Sequence, residues 1–273
     1  MKFLSNPHTH TVYCDGQNTP EEMVLAAVQK GFTSLGFSGH SYTPFDKSCS
    51  MSESGTAAYC REIRTLQGLY RTQIELFLGI EWDYYSEIDR EQYDYTIGSV
   101  HYIQGESGKY YCVENTPEEL DACIKLLCGG DGIELARRYY ALVTEMAVKN
   151  RPDILGHFDV LKKLNQGGRF FDEECPAYRR IALDAVDAVS ETGCICEINT
   201  GGVYRGYRSD PYPSPFLLKR MAEKRIPIIL SSDAHDPAAL DFFLEESLEL
   251  ARSCGFETVR ILRDGGFKEV PIG

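Results

Sequence analysis

Short apolar runs recur along the chain at residues 6–10, 34–40, 76–81, 96–101, 154–157, 194–199 and 227–233, with a weaker one at 258–262. Between them lie longer stretches in which apolar residues return every third or fourth position, the spacing of a buried helix face. That spacing predicts helices near 55–73, 131–150, 176–192, 214–225 and 237–253. Two more are announced by matched openings, Thr19-Pro20-Glu21-Glu22 and Thr116-Pro117-Glu118-Glu119. In each, Thr can cap, Pro fits the first turn, and the Glu three residues after Thr can complete a capping box. Gly129-Gly130-Asp131-Gly132 reads as a turn between helices, because no Gly-Lys-[Ser/Thr] follows to make a phosphate loop. Strands alternating with helices predict a parallel α/β sheet, either closed as a barrel or doubly wound. Nearly every run ends in an ionisable residue: His8 and His10, His40, Glu81, His101, His157, Glu197, then Asp233 and His235. A closed barrel gathers all strand C-termini on one face, so the ends favour a TIM-like barrel over an open sheet. No linker-like run or charge block interrupts the pattern, and residues 1–273 are expected to form a single domain.

Composition adds exclusions. The chain is 43% apolar and 25% charged, enough for a sizeable core and unlike a disordered or low-complexity chain. The formal net charge of −13 opposes non-specific attraction to nucleic acid or an anionic membrane surface. No apolar run is long enough to span a bilayer, and the start Met1-Lys2-Phe3-Leu4 turns polar at Ser5-Asn6-Pro7 before an export signal can form. A cytoplasmic location is expected. The ten cysteines, dispersed and without a Cys-x-x-Cys, read as reduced thiols. Cys194 and Cys196, on one face of a strand, read as core residues rather than metal ligands.

All six histidines, at 8, 10, 40, 101, 157 and 235, fall at or just past a predicted strand end. His8-Thr9-His10 aims two imidazoles at one point, and Asp233-Ala234-His235 repeats that period-two geometry near the other end of the chain. With Asp15 and Glu81 the candidate metal donors number nine: His8, His10, Asp15, His40, Glu81, His101, His157, Asp233 and His235. Imidazole with carboxylate suits zinc, manganese or iron. Nine donors are too many for one tetrahedral ion and suit two to three divalent ions, with water completing open positions.

These residues, set as His8-Thr9-His10-Thr11, Asp15-Gly16, Ser38-Gly39-His40, Gly79-Ile80-Glu81, Ile97-Gly98-Ser99-Val100-His101, Gly156-His157-Phe158-Asp159, Glu197-Ile198-Asn199-Thr200 and Ser231-Ser232-Asp233-Ala234-His235, resemble the polymerase and histidinol phosphatase (PHP) superfamily in content and order. The resemblance implies a distorted (β/α)7 barrel, with 258–262 outside the ring. It implies one metal on His8, His10, Glu81 and Asp233, a second on Asp15, His40 and His235, and a third on His101, His157 and a bridging Glu81. Asp15 stands where many relatives carry histidine, and a carboxylate there is still a competent ligand. Within the superfamily the length and the runs Gly156-His157-Phe158-Asp159 and Tyr212-Pro213-Ser214-Pro215 look most like stand-alone L-histidinol-phosphate phosphatases of histidine biosynthesis.

A phosphate monoester is anionic, so such an enzyme needs cations at the phosphoryl oxygens as well as an activated water. Arg205, with its planar fork, is the expected phosphate ligand and Lys162 the second choice. Asp233 is expected to carry a proton as well as bind metal, and Glu81 and Arg205 to share in catalysis. Histidinol carries an ammonium and an imidazole, so its pocket should pair aromatic walls with carboxylates. Tyr42, Phe45, Asp46, Trp82 and Asp83, just past the His40 and Glu81 strand ends, are of the right types. The same centre acting on nucleotides, short oligonucleotides or phosphotyrosine protein is the alternative, with a non-catalytic scaffold subunit behind it. The partner is expected to be a small phosphate ester, neither nucleic acid nor membrane; the sequence leaves oligomeric state open.

Overall fold

The computed structural model describes residues 4–272. Residues 1–3, part of the segment read above for an export signal, lie outside them. The elements run β1 (Leu4–Asn6), α1 (Pro20–Gln29), β2 (Phe32–Phe37), α2 (Glu53–Tyr70), β3 (Glu75–Asp83), β4 (Tyr95–Ser99), β5 (Tyr102–Gln104), β6 (Tyr110–Cys112), α3 (Pro117–Leu127), α4 (Gly132–Glu145), β7 (Ile154–Leu155), α5 (Pro176–Val189), β8 (Ile195–Asn199), α6 (Gly201–Tyr204), α7 (Pro215–Glu223), β9 (Ile228–Ser231), α8 (Leu244–Ser253), β10 (Thr258–Arg263) and β11 (Gly266–Pro271). All eight predicted strand runs are present, though 6–10 is strand only to Asn6 and 237–243 is a series of turns before α8.

The two matched helix openings end differently. At α1 the capping box is complete, with Glu22 N donating to Thr19 Oγ1 and Thr19 N to Glu22 Oε2. At α3 Thr116 caps as expected, but the Glu119 carboxylate accepts from Cys112 N at 2.8 Å. It therefore ties the helix to β6 instead of closing the box. That hairpin, β5 pairing antiparallel with β6, was not predicted, because strands of three residues show no period.

The main sheet has the order β1-β2-β3-β4-β7-β8-β9-β10-β11. Neighbours from β1 to β9 are parallel; β10 meets β9 at one residue pair, Arg260 with Ile229, and turns back antiparallel through β11. The expected closed barrel is corrected by this order, since no continuous ladder joins β1 to β9 among the described residues. Their extensions meet in a single parallel bridge between Thr9 and Ala234. Across this seam Asn6 Nδ2 donates to Ser232 Oγ at 2.7 Å, and beside it Ser34 Oγ of β2 donates to Leu262 O of β10 at 2.6 Å.

Period-two alternation sorts the strands into two faces. Toward the inside of the curl, Phe77, Tyr95, Ile97, Ile154, Ile195, Ile229 and Leu262 form one apolar cluster. A polar layer lies above it on the same strands, with Ser99 Oγ donating to Glu81 Oε1 and Ser231 Oγ to Glu197 Oε1. Gly79 leaves room for this floor: a Cβ there would lie 2.3 Å from the Tyr95 ring. A larger cluster packs the helices onto the sheet and includes Cys194 and Cys196, as expected for core thiols. All ten cysteines are free.

Candidate metal centre

The inward polar layer continues into the residues just past the strand ends, and all nine predicted donors meet there. Glu81 is the hub. Its Oε1 lies 2.9 Å from His157 Nε2 and 3.2 Å from His101 Nε2. Its Oε2 lies 2.8 Å from His40 Nδ1, 3.4 Å from His8 Nε2 and 3.6 Å from His10 Nε2. Asp233 Oδ1 closes on His10 Nε2 at 3.2 Å and His8 Nε2 at 3.6 Å. Asp15 Oδ2 faces His235 Nε2 at 3.2 Å and His40 Nε2 at 3.6 Å. The Asp233 backbone has φ of 49°, a left-handed conformation uncommon outside glycine that fits a locally constrained site.

Donor atoms gather within 4.8 Å of one another in four overlapping sets: His10, Asp15, His40 and His235; His8, His10 and Asp233; His40, Glu81 and His101; His101, Glu114 and His157. Buried and without hydrogen-bond partners are His8 Nε2, His10 Nε2 and Glu81 Oε2. Buried polar atoms are ordinarily paired, so unpartnered nitrogens and a carboxylate oxygen facing one another fit a bound cation. Second contacts fix the rings. His8 Nδ1 donates to Glu197 Oε1 at 2.6 Å and His101 Nδ1 to Asp83 Oδ2 at 3.2 Å, leaving each Nε2 to face Glu81. Glu197 also accepts from His157 N at 2.7 Å and Asn199 Nδ2 at 3.0 Å, so it supports the centre without facing it.

In the metal-free chain the neighbouring carboxylates hold protons on His8, His40 and His101. Burial alone would lower the His8 pKa, but the charges of Glu197, Asp233 and Glu81 push it up to about 10. His101, buried and beside Glu81 and Asp83, is likewise pushed up to about 10. Burial opposes ionisation of Glu81, yet the positive rings of His40, His8 and His101 hold it well below the usual carboxylate range.

A cavity of about 270 Å³ opens onto the centre. Arg205 lines it, with Nη2 donating to Asp233 Oδ2 at 2.9 Å. Gly201 makes space for that pair, since a Cβ would stand 2.7 Å from Arg205 Nη2 and 2.8 Å from Asp233 Oδ2. Lys162 is a correction. Its ammonium is fully buried, donating to Asp210 Oδ2, Pro211 O and Ser214 Oγ beside Asp159, and is turned away from the cavity. The neighbouring Lys163 lines the cavity instead, paired with Glu114 Oε2 at 2.9 Å and lying over the Tyr207 ring.

Tyr42 and Trp82 are corrections too, because neither is on the cavity wall. Ser41 and Thr43 flank Tyr42 and Glu81 and Asp83 flank Trp82, and all four of those line it. In extended backbone the intervening side chain faces the other way. The Trp82 indole donates to Ser86 O, and Phe45 stacks on Tyr110. Asp46 and Asp83 do line the cavity. The residue that sequence reasoning missed is Glu114, which the hairpin brings to within 3.6 Å of His101 Nε2. The only signal for it was its place two residues after the unpredicted β6.

Fold and site together define an α/β protein with a nitrogen–oxygen donor centre for divalent metal ions at the C-terminal ends of parallel strands. A family model for the PHP domain matches residues 6–201, and the chain belongs to that family. It is 31% identical over 272 residues to a Deinococcus radiodurans protein named probable histidinol-phosphatase, covering 95% of this chain and 96% of that one. To the histidinol-phosphatase of Bacillus subtilis it is 28% identical over 269 residues, covering 89% of this chain and 97% of the other. The solved histidinol phosphate phosphatase of Lactococcus lactis, complexed with Zn, L-histidinol and phosphate, shares the fold: TM-score 0.67 at 20% identity, covering 96% of this chain and 98% of that one.

Proposed function

We propose that this protein is a metal-dependent phosphoric monoester hydrolase that converts L-histidinol phosphate to L-histidinol and phosphate in histidine biosynthesis. The observation that carries the reading is the position of Glu81, whose two oxygens lie within 3.6 Å of five histidine rings at the foot of a cavity that also holds Arg205 and Lys163. The relatives bearing the histidinol-phosphatase name, matched over nearly their whole length, support the substrate.

In this reading His8, His10, Glu81 and Asp233 would hold one ion, Asp15, His40 and His235 another, and His101 and His157, with Glu81, a third. Glu114 is placed to add a donor to the last set. Bound divalent ions supply Lewis acidity to the phosphoryl oxygens and to the water that attacks phosphorus. Arg205 and Lys163 orient the phosphoryl group, the first as a fork and the second as a point charge. Asp233, held against Arg205 and His10, is placed to take a proton from the attacking water. We further propose that the curled sheet, although unclosed, derives from a distorted barrel of seven β/α units, that the chain is one domain, and that it works in the cytoplasm on a small substrate without nucleic acid.

The test is a panel of phosphate esters assayed with zinc, manganese or iron added. Histidinol phosphate should exceed p-nitrophenyl phosphate in kcat/KM by about 10²-fold despite its poorer leaving group, because remote binding energy is used at the reacting ester. Nucleotides or phosphotyrosine peptides turning over faster than histidinol phosphate would overturn the substrate; no hydrolysis with any metal would overturn the enzyme.

A further inference from the structure

The cavity wall carries six carboxylates: Asp15, Asp46, Glu81, Asp83, Glu114 and Asp233. Five have a cationic or imidazole partner. Asp15 faces His10, His40 and His235, and Glu81 faces the ring cluster. Asp83 takes His101, Glu114 takes Lys163 and Asp233 takes Arg205. Asp46 differs. Its Oδ1 accepts from Ser48 N at 2.7 Å and Ser48 Oγ at 2.6 Å, and its Oδ2 accepts from the Tyr102 hydroxyl. Every one of these donors is neutral.

The two cations on the wall are already committed, Lys163 to Glu114 and Arg205 to Asp233. Asp46 is therefore the wall's one carboxylate without a cation facing it among the described residues. Partial burial works against its ionisation, but the bonds from Ser48 and Tyr102 hold its pKa below the usual carboxylate range. A carboxylate kept ionised by dipoles, on the wall of an open cavity, is complementary to a cation that arrives with the ligand. Its surroundings are also stiff: Phe45 stacks on Tyr110 at 3.6 Å between ring centroids and meets Tyr102 edge-on at 4.9 Å, so the 41–50 loop is pinned to the β5–β6 hairpin.

We propose that Asp46 is the specificity-determining residue that receives the substrate's ammonium group, selecting phosphate monoesters with a cationic end from neutral ones. This deepens the reading of the protein as a histidinol-phosphate hydrolase and rests on it. In this reading the phosphoryl end lies at the metal donors with Arg205 and Lys163, and Asp46, on the wall of the same cavity, is left to receive the cationic end. A second consequence is discrimination: a nucleotide or a simple alkyl phosphate has no cation to offset the Asp46 charge and meets it as a repulsive wall.

The experiment compares L-histidinol phosphate with its analogue lacking the amino group, using the metal-loaded full-length enzyme and its Asp46→Asn, Asp46→Ser and Tyr102→Phe variants. Each variant is checked first for unchanged metal content and circular dichroism, and the two Asp46 changes back each other up should one misfold. In the unmodified enzyme the amino group should raise kcat/KM on the order of 10–100-fold, the range for a hydrogen bond to a charged group. Asp46→Asn and Asp46→Ser should bring that ratio near one, chiefly through KM for histidinol phosphate. Tyr102→Phe removes the same loop contact but keeps the carboxylate, so it should retain most of the ratio. A ratio that survives both Asp46 changes overturns the proposal, as does Tyr102→Phe abolishing it equally, which would make Asp46 a loop latch. An unmodified enzyme that hydrolyses esters but shows no advantage for histidinol phosphate would instead overturn the substrate reading beneath it.

Discussion

Two adjacent lysines show how little separates a structural from a functional cation. Lys162 and Lys163 follow the same strand end, yet one ammonium is wholly buried among Asp159, Asp210 and Ser214 while the other opens into the cavity. The choice is made by Asp159, itself buried and accepting from Ser214 N and Oγ, which would be an uncompensated interior charge without Lys162. Removing one partner of a buried pair is strongly destabilising. Lys162→Met is therefore expected to cost about 3–5 kcal/mol of stability, read by denaturant unfolding. Lys163→Met should instead leave the unfolding midpoint close to that of the unmodified protein and lower kcat/KM, and the reverse pattern would exchange their roles. Arg205→Met tests the other phosphate-facing cation. If its fork grips the phosphoryl group more tightly in the transition state than in the ground state, kcat and kcat/KM should fall together by about 2–4 kcal/mol in barrier. Unchanged kinetics at normal metal content would reduce Arg205 to a partner of Asp233.

Each element contributes its inward side chains in a fixed order, apolar below and polar above, and this governs what could be read from the chain. Phe77, Gly79, Glu81 and Asp83 share one face of β3, so the last inward positions of an apolar run are where donors had to be sought. Histidines at run ends were legible for the same reason. Trp82 is near the site in sequence but not in space, because its place between two inward residues points it outward. The β5–β6 hairpin and Glu114 left no comparable trace, since three-residue strands carry no alternation and one glutamate among many carries no pattern. The open seam is equally hidden, because Asn6, Ser34 and Ser232 look like ordinary polar residues in or beside strands until their partners are known. Glu197 on β8 binds several elements at once, accepting from His8, His157 N and Ser231. Glu197→Gln would force an amide N–H toward one of these donors. We expect about a 10–100-fold loss of metal affinity or activity, the usual consequence of damaging a contact that orients a ligand. Metal titration followed by kinetics would check this, and full affinity in the variant would show that ring orientation does not depend on the carboxylate.

For the molecule as a whole, the formal charge of −13 opposes the approach of any phosphate ester, and the centre has to reverse that field locally. Protons on His8, His40 and His101 do part of this in the metal-free chain; divalent ions would do more. Ligation requires neutral imidazoles, so metal uptake and proton release are linked. With His8 and His101 pushed up to about 10, both carry protons at neutral pH before metal arrives. Loading the chelator-treated protein at pH 7.5 should therefore release protons, measurable by calorimetry in buffers of different ionisation enthalpy. The same shifts give the stability of the metal-free protein a definite sign. These histidines bind protons more tightly folded than unfolded, so their contribution is complete below an unfolded pKa near 6.5 and is lost as pH rises through about 10. The melting temperature of chelator-treated protein should thus fall across that window, while the metal-loaded form, whose ligating rings are already neutral and do not titrate there, should fall much less. Elemental analysis of the loaded form should give more than one ion per chain, since nine clustered donors exceed what one ion can bind. One ion or fewer, bound without proton release, would mean that the clustered histidines serve packing and charge balance rather than a multinuclear centre.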